Sequence, residues 1–138
     1  MNIRKLEKTD YFKGFVNLLG QLTDAPKMSY DDFETNFNKL INEHIYVIEL
    51  DGIIIATGTL LIEQKFIHNG GKCGHIEDIV VHKDYRGKDI GKMIIEFLSN
   101  FGYHKGCYKV ILDCKPELEV FYEKCGFIQK GSQMSFYF

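Results

Sequence analysis

Ile79-Val80-Val81 leads through His82-Lys83-Asp84 into Tyr85-Arg86-Gly87-Lys88-Asp89-Ile90-Gly91-Lys92, and from there into Met93, Ile94, Phe97, Leu98 and Phe101. The first run is apolar and β-branched, as a buried strand requires. Positions 90, 93, 94, 97, 98 and 101 are apolar at the helical period, so a long amphipathic helix opens at the loop. The turn between them carries Arg86, Lys88 and Lys92 with Gly87 and Gly91. At a helix N-terminus, unpaired N–H groups and the positive end of the helix dipole favour an anion. A solvated turn that merely caps the helix would use the same residues, and the pattern in isolation does not separate the two. Neither G-x-x-x-x-G-K-[ST] nor G-x-G-x-x-G is present, so the loop is not a P-loop or a dinucleotide fingerprint.

Upstream, residues 45–50 and 53–61 are β-branched-rich runs separated by Asp51-Gly52, a dipeptide suited to a two-residue hairpin turn. Asn69-Gly70-Gly71-Lys72 signals a loop, and Gly74-His75-Ile76-Glu77-Asp78-Ile79-Val80-Val81 predicts a strand with two acidic residues at its centre. Nearer the N-terminus a short strand over 3–6 precedes Asp10, a candidate N-cap. Phe12, Phe15, Val16, Leu19 and Leu22 then predict one amphipathic helix. Ser29 with Asp32 predicts the start of a second helix, with Phe33, Phe37, Leu40 and Ile41 as its stripe. Downstream, residues 109–113 predict a strand, 116–124 a short helix ended by Gly126, and 127–130 and 134–138 two closing strands. Strand, glycine loop, helix and strand beside an antiparallel hairpin imply an α/β fold. Its sheet is mixed and mostly antiparallel, flanked by helices, in a single domain over residues 1–138.

Hydrophobic residues make up 45% and charged residues 26% of the chain, an ordinary globular balance. A net charge of -2 offers no positive field to a nucleic acid backbone, so no nucleic acid partner is expected. No apolar run has the length of a membrane span, and Met1-Asn2-Ile3-Arg4-Lys5-Leu6-Glu7 has no leader signature. A cytoplasmic protein, not inserted in a membrane, is the expectation. Cys73, Cys107, Cys114 and Cys125 lack C-x-x-C spacing and a zinc set of histidines, so no metal is expected. They read as reduced, mostly buried small side chains.

In its context, Arg86-Gly87-Lys88-Asp89-Ile90-Gly91 resembles the pyrophosphate loop of the GNAT acetyltransferase superfamily. Within that superfamily three stretches resemble the glucosamine 6-phosphate N-acetyltransferases: residues 74–81, Gly106-Cys107-Tyr108-Lys109-Val110-Ile111-Leu112-Asp113-Cys114, and Phe121-Tyr122-Glu123-Lys124-Cys125-Gly126-Phe127. Leu22-Thr23 extends the likeness to the N-terminal helix. The resemblance implies a single-domain GNAT fold, acetyl-CoA as co-substrate without a metal, and a homodimer. It further implies transfer of the acetyl group to the 2-amino group of glucosamine 6-phosphate by direct attack in a ternary complex. The products would be N-acetylglucosamine 6-phosphate and CoA, on the route to UDP-N-acetylglucosamine. The other readings are a GNAT enzyme for a different small amine and a catalytically silent CoA-binding module.

Residue by residue, the same likeness adds roles to positions that have plainer readings. Neighbours on a strand point to opposite faces, so Glu77 and Asp78 do not form an acid–base pair and otherwise read as charges on a soluble strand edge. The resemblance places Glu77, Asp78 and Ile79 at the sugar, and turns backbone groups of Ile79, Val80 and Val81 toward the pantetheine and thioester. It gives Arg86, Gly87, Lys88, Asp89, Ile90, Gly91 and Lys92 to the cofactor. Asp113 either caps the turn before Pro116 or, by resemblance, holds the attacking amine and helps deprotonate it. Tyr122 beside Phe121 is by spacing a core pair. The resemblance makes it a cofactor contact and the proton donor to CoA, with Glu77 and Asp113 as the other catalytic groups. Lys65-Phe66-Ile67-His68 alone is a strand end; by resemblance it surrounds the sugar phosphate with Thr23, Tyr108 and Lys109. Three positions depart from the family pattern: Asp89 replaces a common glycine, Leu118 an asparagine, and Tyr137 a basic residue that reaches the phosphate.

Overall fold

A computed structural model describes every residue from Met1 to Phe138. Five strands form one sheet in the order β1 (Ile3–Lys5), β2 (Glu43–Leu50), β3 (Ile53–Gln64), β4 (Lys72–Val81) and β5 (Cys107–Ile111). The first four pair antiparallel, and β5 joins β4 in parallel. At the β2–β3 turn Asp51 and Gly52 take φ 52° and 78°, the left-handed pair that a two-residue hairpin demands and that the dipeptide predicts.

Alternation along the strands sends side chains into two cores. Ile48, Ile55, Ala56, Leu60 and Ile76 pack against Ile90, Ile94, Ile95 and Leu98 of α4 (Ile90–His104). That helical stripe is fully buried; each such side chain contributes about 1.5 to 3 kcal/mol of transfer free energy, which fixes α4 to the sheet. On the opposite face Val47, Ile54 and Val80 meet Phe15, Val16 and Leu18 of α1 (Phe15–Leu19) and Phe33 of α2 (Tyr30–Phe37). The Ser29 hydroxyl accepts the Asp32 N–H at 3.1 Å, the expected cap of α2.

Four local expectations are overturned. The first helix is two pieces, a 3-10 helix over Lys8–Lys13 and then α1, because Gly14 takes φ 84° between them. Asp10 is not its N-cap: it is wholly buried, accepts from Arg4 at 2.9 and 2.7 Å, and accepts the Glu7 N–H at 2.8 Å. Burial alone would push this carboxyl up, but Arg4 and the Glu7 N–H outweigh it and hold the group below the ordinary range. Residues 127–130 and 134–138 form no strand, since high strand propensity gives no ladder without a neighbouring strand. Of the four cysteines, all free, only Cys73 is fully buried; Cys107, Cys114 and Cys125 are half-buried.

Candidate active site

The parallel ladder between β4 and β5 runs from Lys72 opposite Cys107 to His75 opposite Ile111, whereas β4 continues to Val81 against β3 alone. Backbone groups on the free edge of residues 76–81 therefore face a gap instead of a strand. A bulge reshapes this edge. Thr59 pairs with Glu77 and Thr57 with Val80, so Asp78 and Ile79 both stand opposite Gly58. Asp78 takes φ 53°, a left-handed conformation that aspartate tolerates. Both Glu77 and Asp78 are exposed, and the Asp78 charge is near enough to act on Glu77.

At the end of β4 the loop turns into α4. Arg86 Nε donates to the Val81 carbonyl at 3.0 Å, and Gly87 and Asp89 take φ 79° and 61°. Asp89 thus adopts the conformation glycine would supply, and its side chain makes no cap bond. The first helical bond is from the Met93 N–H to the Asp89 carbonyl at 3.0 Å. The N–H groups of Ile90, Gly91 and Lys92 make no backbone bond and point out of the helix start, beside Arg86, Lys88 and Lys92.

Across the gap stands α5 (Glu119–Lys124), entered through the 3-10 turn Pro116–Leu118. It docks on the first turn of α4, where a Cβ on Gly91 would lie 3.4 Å from Phe121 Cζ. The Tyr122 ring sits edge-on to Phe121 at 5.0 Å and Phe127 at 6.1 Å, and its hydroxyl has no hydrogen-bond partner in the chain. Burial, then Cys114 and Cys125, push the phenol above its ordinary value, so it stays protonated near neutral pH.

Along β4, Cys73, His75 and Glu77 share the face turned away from α4, alternating with Gly74 and Ile76. Although Glu77 is exposed, partial loss of solvent around its carboxyl, then Asp78 and Asp113, push it up. Those three carboxylates mark one end of the face. At the other end Glu63 and Lys109 flank Cys73 from β3 and β5, and Lys65 follows. Glu77 lies four residues beyond Cys73, roughly 13 Å along the strand, a distance that long lysine side chains shorten. The face suits a small molecule with an amine at one end and an anion at the other.

Lys65 to His68 is not the strand end expected. The single turn α3 (Ile67–Gly70) contains left-handed His68 and Asn69, at φ 53° and 56°. Gln64 Nε2 donates to the carbonyls of Lys65 and Gly70, both at 2.9 Å, and the His68 ring stacks on Tyr108 at 4.0 Å. Phe66 and Ile67 project into solvent. Thr23 is exposed in the loop after α1, which the Gln21 side chain ties to the end of β4 by accepting the Lys83 N–H at 2.8 Å.

The sequence pattern of the acetyltransferase (GNAT) family matches residues 3–127. The chain is 49% identical to the glucosamine 6-phosphate N-acetyltransferase of Arabidopsis thaliana, over 99% of this chain and 95% of that protein. It belongs to the GNAT acetyltransferase family. Glucosamine 6-phosphate N-acetyltransferase 1 of Dictyostelium discoideum is 46% identical, over 99% of this chain and 90% of its own. The crystal structure of the Arabidopsis thaliana enzyme superposes with a TM-score of 0.96 at 50% identity, covering 99% and 97% of the two chains.

For a GNAT acetyltransferase the co-substrate is acetyl-CoA, and the residues present fit it. Open N–H groups at the start of α4 with Arg86, Lys88 and Lys92 suit a diphosphate, and the gap beside residues 76–81 suits an extended amide chain. Among the residues singled out from sequence, Glu77, Asp78 and Asp113 come together, as do Lys65, His68, Tyr108 and Lys109. Tyr137 makes no hydrogen bond and lies exposed on the C-terminal arm, apart from both groups. Two residues escaped the sequence reading: Glu63 and His75, whose side chains meet at 2.9 Å only because of the β3–β4 register.

Proposed function

We propose that this acetyltransferase moves the acetyl group of acetyl-CoA to the 2-amino group of glucosamine 6-phosphate. The observation that carries the reading is the single sheet face with carboxylates at one end and lysines at the other, beside the free edge of β4. Acetyl-CoA, when bound, supplies the activated thioester. Lys65 and Lys109, with Thr23 and the His68–Tyr108 turn, hold the phosphate through charge-assisted hydrogen bonds. Asp78 and Asp113 orient the amino group. Glu77, a stronger base than an ordinary carboxylate because its charged form is disfavoured, takes the ammonium proton. Of the backbone groups at Ile79, Val80 and Val81, the N–H groups on the free edge of β4, that of Val81 among them, face the carbonyl oxygen as negative charge develops on it, while Val80 stays paired with Thr57. Tyr122 gives its proton to the departing sulfur. The nitrogen loses two protons in all, one to Glu77 before attack and one that replaces the proton Tyr122 has given to sulfur, and because the amine attacks the thioester directly no acetylated enzyme is formed.

The same reading makes the enzyme a homodimer. Residues 128–138 are exposed throughout and carry Ile128, Met134, Phe136 and Phe138, while the outer edge of β5 has no partner strand. A second copy can supply that partner, which turns the expected closing strands into strands between copies and carries Tyr137 toward the neighbouring site. No helix is long and apolar enough to cross a membrane. Four free cysteines accord with the reducing cytoplasm, where residues 1–138 act as one domain.

Acetyl-CoA labelled in its acetyl carbons tests the reaction. Mass spectrometry is expected to find the label on the amide of N-acetylglucosamine 6-phosphate, and none retained on the protein. Label on a polyamine but not on the sugar phosphate would overturn the acceptor.

A further inference from the structure

We propose that Glu63 is a positioning residue for acceptor recognition: it holds the Lys65 ammonium, is itself held by His75, and so presets the lysine that meets the acceptor's phosphate. The proposal rests on the acceptor reading given above. Lys65 Nζ lies 3.2 Å and His75 Nε2 2.9 Å from the same oxygen, Glu63 Oε1. Register builds this triplet. Glu63 stands opposite Cys73, so His75 is its diagonal neighbour on β4, and Lys65 follows two residues on, on the same face.

The Lys65 backbone is fixed on both sides. Its N–H donates to the Gly71 carbonyl at 2.9 Å, and its carbonyl accepts from Gln64 Nε2. Its side chain has four rotatable bonds, and Glu63 is the only group that anchors its end. Lys109, the other cation at this end, has no ion-pair partner. Lys109 is held only by the face of the Tyr108 ring, 5.8 Å from its ammonium, whereas Lys65 is placed by a charge. Ordering a free lysine on binding costs rotamer entropy, and a preset one avoids most of that loss. Glu63 also sits close enough to a bound phosphate to repel it, but between exposed groups that repulsion is weak and screened. The charged pair is mutually favoured, with Glu63 below its ordinary range through His75 and Lys65, and Lys65 above its own through Glu63.

A double-mutant cycle in the full-length enzyme tests this. Glu63→Ala should raise KM for glucosamine 6-phosphate about five- to tenfold, with kcat within about twofold and KM for unphosphorylated glucosamine unchanged. In a Lys65→Ala background the same substitution should add no more than about twofold, because the group it positions is gone. Glu63→Gln, which keeps an accepting oxygen, should recover part of the loss, and it takes the place of the alanine variant if melting shows that variant unfolded. An unchanged or lowered KM in Glu63→Ala overturns the inference. So does an equal rise in both backgrounds or with both sugars. A wild-type enzyme indifferent to the phosphate would overturn the acceptor reading and the inference with it, whereas a phosphate preference untouched by Glu63→Ala overturns the inference alone.

Discussion

Gly58 and Ile79 face each other across the β3–β4 pair so closely that a methyl group on Gly58 would stand 2.5 Å from Ile79 Cδ1. The same methyl would meet Ile94 Cγ2 of α4 at 2.7 Å. The bulge that places two residues opposite one depends on this missing side chain. Gly58→Ala should therefore lower stability by about 1 to 3 kcal/mol and cut turnover together, by shifting the Ile79 backbone. A variant with wild-type melting temperature and wild-type kcat would show that the bulge has no such dependence.

Tyr122 presents a protonated hydroxyl with no partner inside the chain. Tyr122→Phe keeps the packing against Phe121 and Phe127, so binding should change little while kcat falls on the order of 10²-fold. Steady-state kinetics with both substrates separates the two effects. An unchanged kcat, with chemistry rate-limiting, removes Tyr122 from the proton path.

Glu77 is raised by partial desolvation and by its neighbours Asp78 and Asp113, and it must be ionised to take a proton. Activity should then fall as pH drops through this raised value, above the range of an ordinary glutamate. Asp78→Asn removes one source of the upward push while tolerating the left-handed backbone. The acid limb of the kcat profile should move to lower pH. A limb that stays in place, or moves up, would assign it to another group.

Asp10 is held below its ordinary range, so its contribution to stability is present above the unfolded aspartate value and is lost as pH falls through the folded one. Asp10→Asn should cost about 2 to 3 kcal/mol near neutral pH. That is less than the loss for a fully buried pair, because Arg4 is 24% exposed and keeps Glu49 at 2.6 Å. Denaturant titrations at neutral and strongly acid pH should show this difference shrinking in acid; a constant difference would contradict the linkage.

What could be read from the sequence is what local chemistry determines. Asp51-Gly52 specifies its own turn, Ser29 its own cap, and the α4 stripe its own buried face. The start of α4 after the Arg86 to Asp89 turn was legible for the same reason, since the apolar period begins at Ile90. Gly14 was not, because the apolar spacing continues through it although the backbone does not. The exposed arm at 128–138 has strand-forming residues, but no sequence pattern says whether a partner edge is within reach. Glu63, Lys65 and His75 are brought together by register alone. A glycine inside the β3 run, facing a strand with adjacent acidic residues, was the available signal for the bulge.

Acceptor choice is the centre of the account, and kcat/KM for glucosamine 6-phosphate against unphosphorylated glucosamine, followed by CoA release from one enzyme preparation, measures it. Lys65 and Lys109 without a basic residue at Tyr137 should give a phosphate preference of roughly ten- to a hundredfold, the size of one to two charge-assisted contacts. Equal use of the two sugars, or faster release with a polyamine than with either, would contradict it.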